Sequence, residues 1–165
     1  MDFSAKSDSE IETWIENHER SGATSAELYK RLLEERARRN SSGLKVENSL
    51  RLLSEAASAE KFVTYGDLAK ASGVPWSQAR HAMNGAHGHL DRLLDICHAR
   101  GMPLLTALCV NQQSVETGEL SDNSMAGFIS GAKRLGYSIT DAERFFKTCQ
   151  KTCFEWAKSR SSQSD

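Results

Sequence analysis

Apolar side chains recur every three to four positions through most of this chain, the spacing that lines one face of a helix. Ile11, Trp14 and Ile15 share such a face, with Ser7 or Asp8 placed to cap the helix and Gly22 to end it. Leu28, Tyr29, Leu32 and Leu33 stripe a second helix capped at Ser25. Its charged outer end, Glu34-Glu35-Arg36-Ala37-Arg38-Arg39, sets basic residues against the negative helix terminus. Asn40-Ser41-Ser42-Gly43 breaks the chain, and Val46, Leu50, Leu53 and Ala57 then predict a third helix running to about Glu60.

The pattern changes at Phe62. Phe62 and Val63 predict a short extended entry, and Thr64 followed by Asp67 has the form of a capping box that opens a short helix with Leu68 and Ala69 inward. Gly73 supplies a turn, and Pro75 suits the first turn of the next helix, where its missing N–H costs nothing. Two short helices joined by a glycine-containing turn are the signature of a helix-turn-helix. His89 to Arg100 follows as a helix with Leu90, Leu93, Leu94 and Cys97 on one stripe, ended by Gly101.

After Pro103, Leu104 to Val110 is continuously apolar and predicts a buried strand. The polar run Asn111 to Asn123 is either a hairpin with a return strand or a mobile loop. Met125, Phe128, Ile129, Ala132 and Leu135 stripe another helix that stops at Gly136. The last helix is expected to open with a Thr140–Glu143 capping box and to carry Ala142, Phe145, Phe146, Cys149, Cys153 and Trp156 on one face. The fold class read from this pattern is mainly α (α+β): a single helical domain over 1–158, a winged-helix-like core at about 62–111 with one short β element, flanking helices, and a disordered tail at 159–165.

Composition narrows the function. A hydrophobic fraction of 39% and a charged fraction of 26% describe a globular chain, while 21 basic against 22 acidic residues leave a net charge of −1, so any nucleic-acid binding must come from a local patch. No basic start leads into an apolar run and no long apolar stretch occurs, so no membrane association and a cytoplasmic location are expected. Cys97, Cys109, Cys149 and Cys153 are read as free thiols.

Candidate chemistry concentrates on the second helix of the helix-turn-helix. Trp76, Ser77, Gln78, Arg80 and His81 would project near its N-terminal half; Gln and Arg make paired hydrogen bonds to base edges, and Ser binds phosphate. Across 62–100 the basic residues Lys70, Arg80, Arg92 and Arg100 are balanced by Asp67, Asp91 and Asp95, which leaves scaffolding or protein contact open for the same unit. His81, His87, His89 and His98 lie near Cys97 but lack the spacing of a helical or knuckle metal site. The i, i+4 pair Cys149 and Cys153 shares its stripe with Phe145, Phe146 and Trp156 and reads as packing. Trp14 and Trp156 are placed in the core, and Trp76 on the surface. No GxSxG, P-loop, HExxH or dinucleotide fingerprint is present, so neither catalytic residues, metal nor cofactor is expected.

The run Thr64-Tyr65-Gly66-Asp67-Leu68-Ala69, followed by Gly73, Pro75, Ala79 and Arg80, resembles the helix-turn-helix of the O6-alkylguanine-DNA alkyltransferase and alkyltransferase-like family, with Cys97-His98 at about the distance of that family's Pro-Cys-His-Arg motif. The resemblance covers about a quarter of the chain. It implies a DNA-binding region in which Tyr65 and Arg80 match residues that help flip a base, and a Cys activated through the neighbouring His. Ile96 and Ala99 stand where the motif has Pro and Arg, the family's Asn-Pro hinge before the motif is missing, and Cys97 shares the apolar stripe of its helix, so shared architecture rather than alkyl transfer is expected. The chain also resembles short bacterial proteins that join a TYGDLA-like segment to a PLLTALCV-like strand and a helical C-terminus, which implies a bacterial origin and no mechanism. The function expected is a small bacterial DNA-binding or transcription-regulating accessory protein using Tyr65, Trp76, Ser77, Gln78, Arg80 and His81 on duplex DNA. The alternative is a protein-binding inhibitor or immunity-type module, and an alkyltransferase-like repair protein is a minor one.

Overall fold

The computed structural model describes residues 2–39, 43–85 and 87–163, with side chains described through residue 160. The chain is mainly helical with one small parallel sheet. In order it forms α1 (Asp8–Ser21), α2 (Glu27–Arg39), α3 (Val46–Ser58), β1 (Val63–Thr64), α4 (Tyr65–Ala71), α5 (Trp76–Met83), α6 (His89–Ala99), β2 (Cys109–Val110), α7 (Asp122–Arg134) and α8 (Ala142–Gln163). Of the expected break at 40–43, only Gly43 lies within the described residues.

Local chemistry accounts for several helix ends. Ser7 and Glu10 close a reciprocal capping box on α1, and Gly22 ends that helix in the left-handed region at φ 74°. α2 packs against both α1 and α6 and brings Tyr29, Leu32 and Leu33 to full burial against Leu93, Leu94 and Cys97. On the other side, α3 and α8 sandwich the segment after Pro103, with Leu50, Leu53, Leu105, Leu108, Phe146 and Cys153 buried together. All four cysteines are free, and burial pushes the thiols of Cys97 and Cys149 up to about 12.

The segment expected as a strand is mostly a tight 3₁₀ turn, Leu105–Leu108, and only Cys109 and Val110 are extended. Their parallel partners are Val63 and Thr64, and Thr64 is already the cap of α4, so β1 has nothing further to offer β2. The run is buried on all sides, which makes it uniformly apolar whether coiled or extended. No hairpin wing accompanies this pair among the described residues. The segment 111–123 is neither hairpin nor free loop. It makes a short turn at Gln112–Ser114, and Gly118, at φ +76°, lies against the Phe62 ring where a Cβ would collide. Gln150 of α8 then donates to the carbonyls of Ala107 (3.0 Å) and Gly118 (2.8 Å), pinning both stretches.

Other expectations shift at the C-terminus. The α8 cap is Asp141, whose carboxylate accepts from the Arg144 N–H at 3.1 Å, in place of the Thr140–Glu143 box. Its buried stripe is Phe146, Gln150, Cys153 and Ala157, leaving Trp156 half-buried beneath Arg160, just as Trp14 is half-buried beneath Lys6. α8 continues to Gln163 through the first part of the expected tail; residues 164 and 165 lie outside the described residues.

The charged end of α2 is more than a solvated face. Arg36 is 8% exposed and donates to Glu12 of α1 (2.5 Å) and to Asp95 of α6 (2.7 Å). Asp95 is fully buried and also accepts from Arg92 (3.1 Å) and from Arg134 of α7 (2.7 Å). Arg134 reaches on to Glu19, which holds the Tyr29 hydroxyl at 2.9 Å. One aspartate therefore ties α2, α6 and α7 together, with α1 joined through Glu12 and Glu19. Glu34 pairs with Arg100, and Glu35 with Arg38 and Arg39.

Candidate nucleic-acid interface

α4 and α5 form the expected pair of short helices. Thr64 and Asp67 close the capping box that starts α4, with the Thr64 hydroxyl accepting from Asp67 N–H (3.1 Å) and the Asp67 carboxylate accepting from Thr64 N–H (2.9 Å). Leu68 and Ala69 anchor α4 inward, Gly73 turns the chain at φ +71°, and α5 begins immediately after Pro75. The turn is braced from α3: Ser72 Oγ accepts from the Lys45 N–H (2.8 Å), and Asn48 donates to the Ala71 carbonyl (2.8 Å).

Ala79 and Met83 bury one side of α5. With 3.6 residues per turn, the rest of its circumference is one continuous arc, and it carries Trp76, Ser77, Gln78, Arg80 and His81, all exposed. Trp76 keeps 45% of its surface in water, unusual for so large an apolar group. Five of the six residues singled out in the sequence therefore share one surface. The sixth does not: Tyr65 opens α4, is half-buried with its phenol pushed up by burial, and donates its hydroxyl to Ser124 of α7 at 3.1 Å. Arg80 is the arginine of this arc, with Lys45 and Lys70 exposed near the turn and Asp67 exposed at the start of α4.

Cys97 and His98 do not form a nucleophile–base couple. The Cys97 thiol is sealed from solvent and held protonated by burial, while the His98 Nε2–H donates in another direction, to the Thr24 carbonyl at 2.5 Å. His89 is fully buried with Nε2 on Ser49 Oγ (2.7 Å), and its imidazole is pushed down to about 4 by burial. Among the described residues, no group of three or more His, Cys, Asp or Glu side chains could hold a metal ion, and no helix is long and apolar enough to cross a membrane.

Two features escaped the sequence reading. The Asp95 cluster is invisible to periodicity because its arginines belong to three different helices. A pocket of about 570 Å³ opens beside the C-terminal end of α5, between α6 and α7; its one sequence signal was a pair of glycines, Gly127 and Gly131, inside an otherwise regular helical pattern. Compared with known proteins, the chain matches no family model, no curated protein and no solved structure.

Proposed function

We propose that this chain is a small bacterial, cytoplasmic DNA-binding or regulatory accessory protein that meets duplex DNA with the exposed arc of α5. The observation that carries the reading is the segregation on that helix: Ala79 and Met83 are buried, while Ser77, Gln78, Arg80 and His81 are in water. The Gln78 amide pairs a donor with an acceptor and the Arg80 guanidinium offers a fork of two donors, the two arrangements that read base edges, and the Ser77 hydroxyl suits a phosphate oxygen. A net charge of −1 limits the field that draws DNA in, so affinity rests on a small number of phosphate contacts and on base contacts made by this arc.

Fluorescence anisotropy with a random duplex pool tests this. Binding is expected at low salt and should weaken as salt rises, because counterions are released from the phosphates. Arg80→Ala should weaken it about tenfold, the consequence of losing a contact of roughly 1.4 kcal/mol. Absence of binding at low salt would end the proposal.

Trp76 supports a second reading, a protein-binding module of the inhibitor type. An exposed tryptophan at a helix start is the kind of anchor around which protein interfaces are built. Association carried by an apolar interface would be nearly indifferent to salt, which separates it from the first reading.

A further inference from the structure

The pocket beside α5 has the construction of a small-molecule site. Its volume of about 570 Å³ falls within the range that encloses drug-sized ligands. Its floor includes Thr106, which is 6% exposed, yet whose Oγ1 has no hydrogen-bond partner in the protein. A buried hydroxyl left without a partner is costly, and native proteins seldom leave one that way without use.

The wall on α7 is cut back. A Cβ at Gly127 would meet nothing within 4 Å, so this glycine leaves open space at the mouth, whereas one at Gly131 would press on Leu94, where α7 and α6 are already in contact. Across the opening, the Tyr65 hydroxyl is held by Ser124, presenting a positioned polar pair at the rim.

The positive charge in the lining is engaged and the negative one is not. Arg134 is neutralised by Asp95 and Glu19, whereas Asp91 accepts the His87 backbone N–H at 3.0 Å and keeps its charge. What remains available is hydroxyl and amide chemistry and the Asp91 carboxylate, alongside the apolar surfaces of Leu90, Leu94 and Phe128.

We propose that this pocket binds an uncharged small molecule with an apolar ring and a hydrogen-bonding amide or hydroxyl, using the Thr106 hydroxyl as its buried polar contact. The site stands apart from the reading of α5 as a DNA surface, and its test uses no DNA.

The probes are benzamide, benzoate and benzylamine, which share a ring and differ in charge, titrated into the isotope-labelled full chain while amide resonances are followed. Benzamide should give saturable shifts in the millimolar range, as expected for a ligand of about nine heavy atoms, centred on Tyr65, Thr106, Ser124 and Gly127. Benzoate should bind at least about tenfold more weakly, since its negative charge would face Asp91 and find no free cation; benzylamine binding more tightly than benzamide would show that Asp91 selects a cation and would overturn an uncharged ligand.

Two variants then separate a binding role from a structural one. Thr106→Val removes an unpartnered hydroxyl and should leave the thermal midpoint unchanged or higher, while weakening benzamide several-fold. Gly127→Leu fills the mouth in a helical position with room for it and should abolish the shifts in a chain that remains folded. Shifts scattered away from these residues, equal binding of all three probes, or benzamide binding that survives both variants would overturn the proposal.

Discussion

Replacing Asp95 by Asn is expected to cost about 3–5 kcal/mol of folding stability, the range for removing one partner from a buried ion pair. The carboxylate has no exposed surface and takes hydrogen bonds from Arg36, Arg92 and Arg134. Burial already holds the Arg92 guanidinium below the ordinary arginine range, with the charge of Arg36 adding to the effect. Arg134 also loses water on burial, yet the Asp95 and Glu19 carboxylates raise it above that range. Without the carboxylate, guanidinium groups of three helices would face one another at close range with their shared counter-charge gone. Urea unfolding reads the effect as a lowered midpoint. Asp122→Asn, on the exposed first turn of α7, should move it by less than about 0.5 kcal/mol. A loss at Asp95 no larger than that of the Asp122 control would contradict the role given to the cluster.

Acidification from pH 7 to pH 5 should remove about 2 kcal/mol through His89 alone. Its imidazole is buried, held neutral, and pushed down to about 4 in the folded protein, against about 6.5 in an unfolded chain. Between those values the unfolded chain binds a proton that the folded one refuses. The contribution is therefore fully present above about pH 6.5 and is lost as pH falls toward about 4. Carboxylates held low by partners, such as Glu35 beside Arg38 and Arg39, lose their contributions only as pH drops below the ordinary carboxylate range, so the two effects occupy different windows. Comparing urea midpoints at pH 7 and pH 5 for the native chain and for His89→Gln isolates the imidazole. The interval should shrink by about 2 kcal/mol in the variant; an unchanged interval would show that His89 titrates normally.

Helices whose stability comes from one amphipathic face were legible in the sequence. Ile11 and Ile15, Tyr29 with Leu32 and Leu33, and Phe128 with Ile129 and Ala132 follow a 3.6-residue period and are buried where that period puts them. The pair of short helices α4 and α5 was legible because its punctuation is local: a capping box at Thr64, a left-handed glycine at Gly73 and a proline at the start of α5. Where the deciding interaction is long-range, the sequence was silent. Leu104 to Val110 had a strand's composition, but a two-residue partner could pair with only its last two positions. Gln150 sits in the apolar stripe of α8 because its amide serves carbonyls 32 and 43 residues away. Asp95 counted in the sequence only as one of the acids balancing the basic residues of 62–100, and nothing local marks it as the partner of Arg36, 59 positions earlier. For the candidate interface, residue type and helical phase were enough to gather five side chains on α5, whereas Tyr65 depended on a contact with Ser124, also 59 positions away.

The tryptophans allow the claim that α5 meets DNA to be tested at the surface itself. The chain has three, each with one indole N–H, and only Trp76 lies on the α5 arc; Trp14 and Trp156 are half-buried on α1 and α8. Titrating duplex DNA into the labelled protein at low salt should move the Trp76 indole resonance together with the backbone amides of Ser77, Gln78, Arg80 and His81, and should leave the other two indoles in place. Binding that moves the Trp14 or Trp156 indole while Trp76 stays still, or no movement at any DNA concentration, would contradict the account.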